Sequence, residues 1–239
     1  MIVSLWSGPR NCSTALMYSF AQRSDFNVVD EPLFAHFLNV TGAQRPSRVE
    51  VLDTMSTDVD VVQSNWESKK APRVFLKHMA NHLEGIDGDR FKDHHHLFLI
   101  RDPRKVIQSY RAHMDEPNES DLCYSYQLRW LERCILNGWP HLVVDSDELV
   151  ASPRVILRQI CDFLGIDFQE EMLTWEPGAK PEDGVWAKYW YHRVHASSGW
   201  EISKQRNSQS ALHFPAEFSG LLAEIEPVFR RLQKYVLTK

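Results

Sequence analysis

The chain of 239 residues lacks several features that would direct it to a particular class of protein. Its four cysteines form no CxxC pair, which indicates a reducing compartment rather than a disulfide framework. Its net charge is −5, so no general positive field favours nucleic acid or an anionic membrane. It has no apolar run near the ~18–20 residues that span a bilayer, and no basic start typical of a signal peptide. These absences predict a soluble, cytoplasmic protein in which any anion site is local.

Short apolar runs alternate with helical patterns along most of the chain. Five runs read as strands, at residues 2–6, 26–29, 73–78, 96–100 and 142–144. Strands alternating with helices predict a mainly parallel sheet covered on both faces, a three-layer α/β/α fold. One long amphipathic helix is expected over 119–137 and a terminal helix over 215–235. We expect a single domain over 1–239, with a core at 1–170 and an aromatic-rich, partly irregular lid and the terminal helix at 171–239.

The first seventeen residues, MIVSLWSGPRNCSTALM, read as strand, tight polar loop and helix. Ser13 and Thr14 are candidate N-cap residues for that helix. Such a turn directs unpaired backbone N–H groups and a helix dipole at an anion, and Arg10 adds a guanidinium. An ordinary strand-to-helix turn remains the alternative, because the loop lacks the GxxxxGK[ST] spacing of a nucleoside-triphosphate P-loop.

A second informative stretch, FLIRDPRKVIQSY at 98–110, places Arg101 at a strand end and Ser109 two helical turns later. The two side chains could share one anion, or Arg101 could simply pair with Asp102 at the surface. Ligands of parallel sheets bind outside the carboxyl ends of the strands. That rule predicts one crevice containing the loop at 7–14 and the pairs at 30–31, 77–78 and 101–102.

With these stretches the chain resembles the sulfotransferases that use 3′-phosphoadenosine 5′-phosphosulfate (PAPS). The family loop P-[KR]-S-G-[ST]-T is matched by Pro9-Arg10-Asn11-Cys12-Ser13-Thr14 at four of its positions. The family's 3′-phosphate motif, an Arg with a Ser eight residues on and a Tyr following, is matched by Arg101, Ser109 and Tyr110. The segment at 143–166 is similar to a third family signature, a strand and helix ending in FLG.

The resemblance implies a P-loop-like fold and transfer of a sulfuryl group from PAPS to a hydroxyl or amine of a small-molecule acceptor, without a metal. By resemblance the donor would contact Arg101, Ser109 and the loop from Arg10 through Asn11, Cys12 and Ser13 to Thr14. Arg10 would also assist the leaving group. The general base would be Glu31, as in the carbohydrate-type branch that the Pro-Arg loop favours, or His78, as in the cytosolic phenol- and steroid-type enzymes.

The chain departs from the family pattern at Asn11 and at Cys12, where Ser and Gly are usual. A Cys is strained if its position requires a positive φ, and a thiol at a helix N-terminus can be reactive. We favour a small side chain tolerated in the turn. The family's basic, Gly-containing loop further along has only a partial counterpart in Ser198-Gly199-Trp200 with Lys204 and Arg206.

Two other functions remain open from the residues alone. A small-molecule kinase using Mg-ATP would need a Lys-Ser/Thr pair after the loop Gly, which the chain does not have. A non-catalytic nucleotide-binding relative is compatible with the change at Cys12. The pair His78 and His82 and the run 94–96 invite a metal hypothesis, but no carboxylate or cysteine lies beside them at ligand spacing. The identity of the acceptor and the oligomeric state are not encoded in any motif we recognise.

Overall fold

Five parallel strands form the centre of the fold. The structure is a computed structural model that describes residues 1–68, 72–111, 116–200 and 214–237. In this part of the chain the strands pair in the order β2-β3-β1-β4-β5, and each neighbouring pair is parallel. The strands are β1 Ile2–Ser7, β2 Phe26–Asp30, β3 Arg73–Met79, β4 His95–Ile100 and β5 His141–Asp145. The parallel α/β architecture predicted from the alternating pattern is therefore confirmed.

Helices connect most successive strands and cover both faces of the sheet, whereas β3 and β4 are joined through two short 3₁₀ turns. They are α1 Ser13–Ala21, α2 Phe34–Thr41, α3 Arg48–Thr54, α4 Val59–Glu67, α5 Pro103–Tyr110, α6 Glu119–Leu122, α7 Tyr124–Asn137, α8 Ser146–Ala151, α9 Pro153–Leu164, α10 Ala187–Trp190, α11 His192–His195 and α12 Ser219–Gln233. None of the helices in the described ranges is long and apolar enough to cross a membrane.

Two helix predictions were wrong at their boundaries. The single helix expected over 119–137 is divided at Cys123, whose φ of 68° lies in the left-handed region and interrupts the helical hydrogen bonds. The terminal helix starts at Ser219, because 216–218 form a tighter 3₁₀ turn after Pro215. Neither feature changes the apolar spacing, so neither was visible in the pattern.

Strand alternation distributes the core between the two faces of the sheet. Successive side chains of a strand point to opposite faces. Leu5 accordingly packs with residues of α1 and α9 on one face. Trp6 packs with residues of α5, α7 and α12 on the other. This order produces two apolar layers on a sheet whose central strands are buried.

The chain order places a crevice beside β1. The connection through α1 leads from β1 toward β2, whereas β4 lies on the other side of β1 and continues through α5 to a different helical layer. The loops after β1 and β4 therefore diverge and leave room at the carboxyl ends of these strands. This is the topological switch point at which open α/β sheets bind ligands.

Two buried histidines, His94 directly before β4 and His96 within it, predict that acid destabilises the folded state. The ring of His94 hydrogen-bonds Ser4 Oγ at 2.8 Å, and His96 Nδ1 accepts the indole N–H of Trp6 at 3.0 Å. Burial lowers the pKa of His94 to about 4 and that of His96 to about 3. The folded state therefore binds fewer protons than the unfolded chain. Its stability is fully present above about pH 6.5 and is lost as the pH falls toward these values.

His96→Gln tests this origin of acid sensitivity, because the amide oxygen can still accept the Trp6 N–H but does not take up a proton. Between pH 7 and pH 4 the free energy of unfolding of the wild type is expected to fall more than that of the variant, by on the order of a few kcal/mol. Denaturant titrations at the two pH values measure this difference. Equal losses in the two proteins would show that other groups cause the acid unfolding.

Candidate active site

A cavity of about 680 Å³ opens at the carboxyl end of the sheet. Strand order arranges the polar residues of its wall along this edge. Glu31 follows β2, Lys77 lies in β3, the loop 8–12 follows β1, and Arg101 follows β4. Aromatic residues of 175–200 complete the wall. The loop after β1, Glu31, Lys77 and Arg101, all expected at the strand ends, thus border one partly open cavity.

Close packing and two positive φ values shape the loop after β1. A Cβ at Gly8 would lie 2.4 Å from the carbonyl oxygen of Leu122, so only glycine fits there. Arg10 and Cys12 have φ values of 63° and 60°. The position at which the family usually has Gly is thus left-handed in this chain, and the half-buried Cys12 adopts that conformation. Cys12 is the N-cap of α1, which corrects the assignment of Ser13 and Thr14 as caps.

Two backbone carbonyls of the loop accept hydrogen bonds from side chains of other elements. Arg101 Nη1 donates to the carbonyl of Arg10 at 2.9 Å, and Ser146 Oγ donates to the carbonyl of Asn11 at 2.7 Å. The first N–H groups of a helix have no partner within it. The first turn of α1, with the side chains of Ser13 and Thr14, borders the cavity. This arrangement provides donors and a helix dipole for an anion.

Asn11 contributes to the loop mainly as a brace. Its side chain is 1% exposed, and Nδ2 donates to the carbonyl of Leu99 at 2.9 Å. The side chain therefore faces the end of β4 rather than the cavity. Asn11 was expected to contact the donor, but its side chain is turned away and only its backbone could do so.

Arg101 and Ser109, the pair of the second motif, line the same cavity, and Arg10 of the first loop joins them. Arg10 Nε donates to Ser109 Oγ at 2.9 Å, and all three residues line the cavity. Arg101 is buried and pairs with Asp147, with Nη2 and Oδ1 3.0 Å apart. Asp102 instead accepts the N–H of Arg104 as the N-cap of α5. The alternative of a surface pair between Arg101 and Asp102 is therefore wrong.

A buried charge cluster forms the opposite part of the polar wall. Lys77 Nζ lies 2.8 Å from Asp30 Oδ1 and 2.5 Å from Glu31 Oε1. The hydroxyl of Tyr191 accepts from Lys77 at 2.8 Å and donates to Asp30 at 2.8 Å. Lys77 is 1% exposed. One ammonium thus holds two carboxylates, and the cluster is formally one charge negative.

Glu31 has the strained geometry and the altered acidity expected of a reactive group. Its φ is 41°, and its backbone N–H donates to the carbonyl of Lys77 at 2.8 Å. Burial raises the pKa of Glu31, with a contribution from the charge of Asp30, against the opposing effect of Lys77. Burial lowers the pKa of Lys77, but Asp30 and Glu31 outweigh it and the pKa lies well above its ordinary value. The lysine is therefore charged, and Glu31 is a stronger base than an exposed carboxylate.

His78 is not part of this site. It follows Lys77 on β3 and so points to the opposite face, where its ring stacks on Trp6 with a centroid separation of 4.4 Å. It is fully buried, and burial lowers its pKa well below the ordinary value. The crevice predicted to contain both residues 77 and 78 therefore receives only Lys77. Within the described ranges no three His, Cys, Asp or Glu side chains are placed to bind a metal ion.

Three cavity or cavity-supporting residues were not identified from the sequence. Tyr191 lies 161 residues from its partner Asp30, and Asp147 lies 46 residues from Arg101. His82 was considered only as a metal ligand, yet it lines the cavity. No local spacing connects these residues with the motifs, although the dense aromatics around Tyr191 did mark that segment as unusual.

The segment 174–200 is anchored to α1 by buried side chains. Trp200 Nε1 donates to Ser19 Oγ at 2.7 Å, and Tyr18 donates to Asp183 at 2.7 Å. Trp175 packs edge-on against Trp200 with centroids 5.8 Å apart. These contacts place Ser197, Gly199 and Trp200 in the cavity wall. Lys204 and Arg206, the other part of the expected basic loop, lie outside the described residues.

Comparison with known proteins places this site in a family. The sequence model of the sulfotransferase domain matches residues 1–209. The chain therefore belongs to the sulfotransferase domain family, as the two anion motifs indicated. The architecture is similar to the sulfotransferase domain from the curacin biosynthetic pathway, with a TM-score of 0.56 at 18% identity, covering 94% of this chain and 97% of that domain. It is also similar to the sulfotransferase domain from the Synechococcus PCC 7002 olefin synthase, with a TM-score of 0.53 at 19% identity, covering 94% of both chains.

Two curated relatives come from Arabidopsis thaliana. The branched-chain-amino-acid aminotransferase-like protein 2 is 37% identical over 243 residues, which cover all of this chain. The branched-chain-amino-acid aminotransferase-like protein 1 is 37% identical over 238 residues, which cover 98% of it. The chain spans 42% of the length of each relative. The family supports sulfuryl transfer as the general chemistry of the matched region, and the neighbouring structures show the shared fold.

Proposed function

We propose that the protein transfers the sulfuryl group of PAPS to a small-molecule acceptor, with Glu31 as general base. The observation that carries this proposal is that one cavity is bordered by the first turn of α1, by the pair Arg101 and Ser109, and by the buried carboxylate of Glu31. The 5′-phosphosulfate of PAPS needs hydrogen-bond donors and positive charge at one point, and its 3′-phosphate needs a second anion site. The cavity contains both kinds of group, which supports this donor.

The residues fit the donor in both size and charge. The volume of about 680 Å³ is in the range of ligand pockets and accommodates a nucleotide beside a small acceptor. The phosphosulfate end would lie against the first turn of α1, Ser13, Thr14 and Arg10. The 3′-phosphate would lie against Arg101 and Ser109. The bridge between Arg10 and Ser109 brings the two anion sites into contact.

Each side chain then has a separate chemical task. When bound, the donor supplies the sulfuryl group and takes the negative charge that develops on the bridging oxygen as the sulfur–oxygen bond breaks. Arg10 and the α1 amides stabilise that oxygen, which requires no proton transfer. Glu31 accepts the proton of the acceptor hydroxyl while the hydroxyl oxygen forms its bond to sulfur. Lys77 orients Glu31, and Tyr191 keeps Lys77 and Asp30 in place through its hydrogen bonds.

Calorimetric titration with 3′,5′-adenosine bisphosphate, the product nucleotide, tests the donor. We expect micromolar binding that a chelator does not change. We expect Arg101→Ala and Ser109→Ala to weaken it about 10–100-fold, because a hydrogen bond to a charged group contributes ~1.5–3 kcal/mol. Arg104→Ala is the matched control, because Arg104 is an exposed residue of α5 beside the site.

Mg-ATP in the same titration separates the proposal from kinase chemistry. Tighter binding of Mg-ATP than of the bisphosphate would refute the proposed donor. Failure of both nucleotides to bind would refute the nucleotide role of the cavity. Bisphosphate binding without sulfuryl transfer to any acceptor in a broad panel would instead indicate a non-catalytic relative.

A further inference from the structure

The helix α8 starts beside the cavity with three polar residues, Asp145, Ser146 and Asp147. They lie in the segment 143–166, the third family signature, and none of them lines the cavity. Asp145 is the N-cap of α8, and its Oδ1 accepts the N–H of Asp147 at 2.7 Å and that of Glu148 at 3.2 Å. The cap fixes the backbone from which the next two side chains extend.

Ser146 ties the loop 8–12 to the end of β4. Its side chain is fully buried, and its Oγ lies 2.7 Å from the carbonyl oxygen of Asn11 and 2.9 Å from that of Ile100. A hydroxyl has one proton, so the two carbonyls share it. The contact holds the backbone of Asn11 directly before Cys12, the left-handed residue at which α1 starts. Without this hydroxyl the loop would lose its buried attachment to the sheet.

Asp147 holds the guanidinium of Arg101, which does line the cavity. Arg101 Nε donates to Asp147 Oδ1 at 3.1 Å, and Nη2 lies 3.0 Å from the same oxygen. Nη1 donates to the carbonyl of Arg10 at 2.9 Å. Since Nη1 and Nη2 have two N–H groups each, both retain one for a ligand. The guanidinium is thus oriented in advance, which reduces the side-chain freedom that is lost when an anion binds.

The charges around Asp147 leave this region attractive to an anion. Burial raises the pKa of Asp147, but Arg101 and Lys105 outweigh burial, so the pKa lies below its ordinary value and the carboxylate is ionised. Lys105 Nζ lies 3.0 Å from Asp147 Oδ2. The group therefore has two positive charges and one negative charge. A half-exposed ion pair adds little to stability, so the orientation of Arg101 is the larger expected effect of the carboxylate.

We propose that the start of α8 is a positioning element for both anion sites, with Ser146 fixing the loop 8–12 and Asp147 orienting Arg101 for the 3′-phosphate. The inference rests on the proposed function, since it assumes that the two sites hold the two ends of the donor nucleotide. Two neighbouring side chains thus act on opposite ends of one ligand without contacting it.

Calorimetric titrations with 3′,5′-adenosine bisphosphate and adenosine 5′-monophosphate separate the two effects. The nucleotides differ only in the 3′-phosphate, so the ratio of their Kd values measures the affinity gained from that group. We expect Asp147→Ala to reduce this gain about tenfold and to leave the affinity for the monophosphate within a fewfold of wild type. Asp147→Asn should retain most of the gain, because the amide oxygen can still accept from Arg101 Nε. Glu148→Ala is the matched control, since it removes a charge from an exposed position of the same helical turn and should leave the gain unchanged.

The Arg101→Ala background shows whether Asp147 acts through Arg101. In that background Asp147→Ala should cause no further loss, because the side chain that it orients is absent. An unchanged or increased gain in Asp147→Ala alone would overturn the positioning role, since removing a mere counter-charge favours an anion. Equal losses in Asp147→Ala and Asp147→Asn, or a further loss in the Arg101→Ala background, would also contradict it.

Ser146→Ala examines the other anion site. We expect both nucleotides to bind more weakly by the same severalfold factor, because both have the 5′-phosphate. An unchanged affinity for the monophosphate, or a loss confined to the bisphosphate, would overturn the role of Ser146. The wild type and Arg101→Ala identify the source of a failure. Equal wild-type affinities for the two nucleotides would refute the 3′-phosphate site and with it the proposed donor, whereas a gain that Arg101→Ala removes and Asp147→Ala retains would refute only the positioning role.

Discussion

Replacing Glu31 by Gln is expected to reduce kcat by about 10²–10⁴-fold, the usual contribution of a positioned general base. The amide retains the shape of the side chain and can still accept a hydrogen bond from Lys77, but it cannot take the acceptor proton. The affinity for 3′,5′-adenosine bisphosphate should remain within a fewfold of wild type, because Glu31 lies at the end of β2, away from the two anion sites. Release of the bisphosphate from PAPS measures kcat, and calorimetry measures the affinity.

His78→Phe is the matched comparison for the base. The ring of His78 stacks on Trp6 in the apolar core, so phenylalanine preserves that packing while it removes every proton-accepting atom. We expect this variant to turn over within a fewfold of the wild-type rate. A large loss in His78→Phe together with a small loss in Glu31→Gln would reverse the assignment of the base.

The pH profile of kcat gives an independent view of the same group. Glu31 must be ionised to accept a proton, and burial raises its pKa above the ordinary value of 4.5. Activity should therefore fall as the pH decreases through a limb that lies above 4.5 in the wild type, and the limb should be absent from the residual activity of Glu31→Gln. A limb at or below 4.5 would show that a less buried carboxylate is the base.

Replacing Arg10 by Met is expected to lower kcat by about 10²–10³-fold, the range measured when one donor to a developing oxyanion is removed. The methionine keeps much of the aliphatic stem but removes the guanidinium that contacts Ser109. Arg10→Lys should restore most of the rate, because an ammonium supplies the same charge at this end of the cavity. Single-turnover measurements with saturating PAPS separate this loss from any change in affinity.

Both Arg10 variants face the same backbone constraint, since Arg10 has a φ of 63° and neither Met nor Lys favours that region over the other. The comparison between Met and Lys therefore isolates the charge. If the two variants lose activity equally, the guanidinium does not stabilise the leaving oxygen, and the effect of residue 10 is on the shape of the loop. If neither loses activity, the α1 amides alone bear the developing charge.

Local patterns were sufficient for the sheet and for bringing Arg101 and Ser109 to one cavity. The five apolar runs correspond to five strands because a buried parallel strand needs a continuous apolar stretch, whatever its neighbours are. Arg101 and Ser109 could be paired from spacing alone, since eight residues of strand end and helix determine their relative placement. Pairings across the fold, such as Tyr191 with Asp30 or Asp147 with Arg101, have no such signal.

The choice between Glu31 and His78 shows where sequence reasoning reached its limit. Both residues come from strand ends, and both types of side chain serve as bases in the family that the chain resembles. The alternation of β3 directs Lys77 to the cavity and His78 into the core. The alternation itself was readable from the sequence. The face of β3 that borders the cavity was not, because it depends on which helices cover each side of the sheet.

The sequence by itself determined the parallel α/β order and the motifs that place the chain in the sulfotransferase domain family, because these depend on short segments whose geometry is local. Tertiary structure decided the buried Lys77 cluster, the position of His78 in the core and the stacking of His82 on Phe34 and Phe37. Those features arise where α2, the turn after β3 and the segment 186–191 converge. Burial at that convergence alters the acidity of Glu31 and leaves His82 neutral, and burial is a property of the packed chain rather than of any short segment.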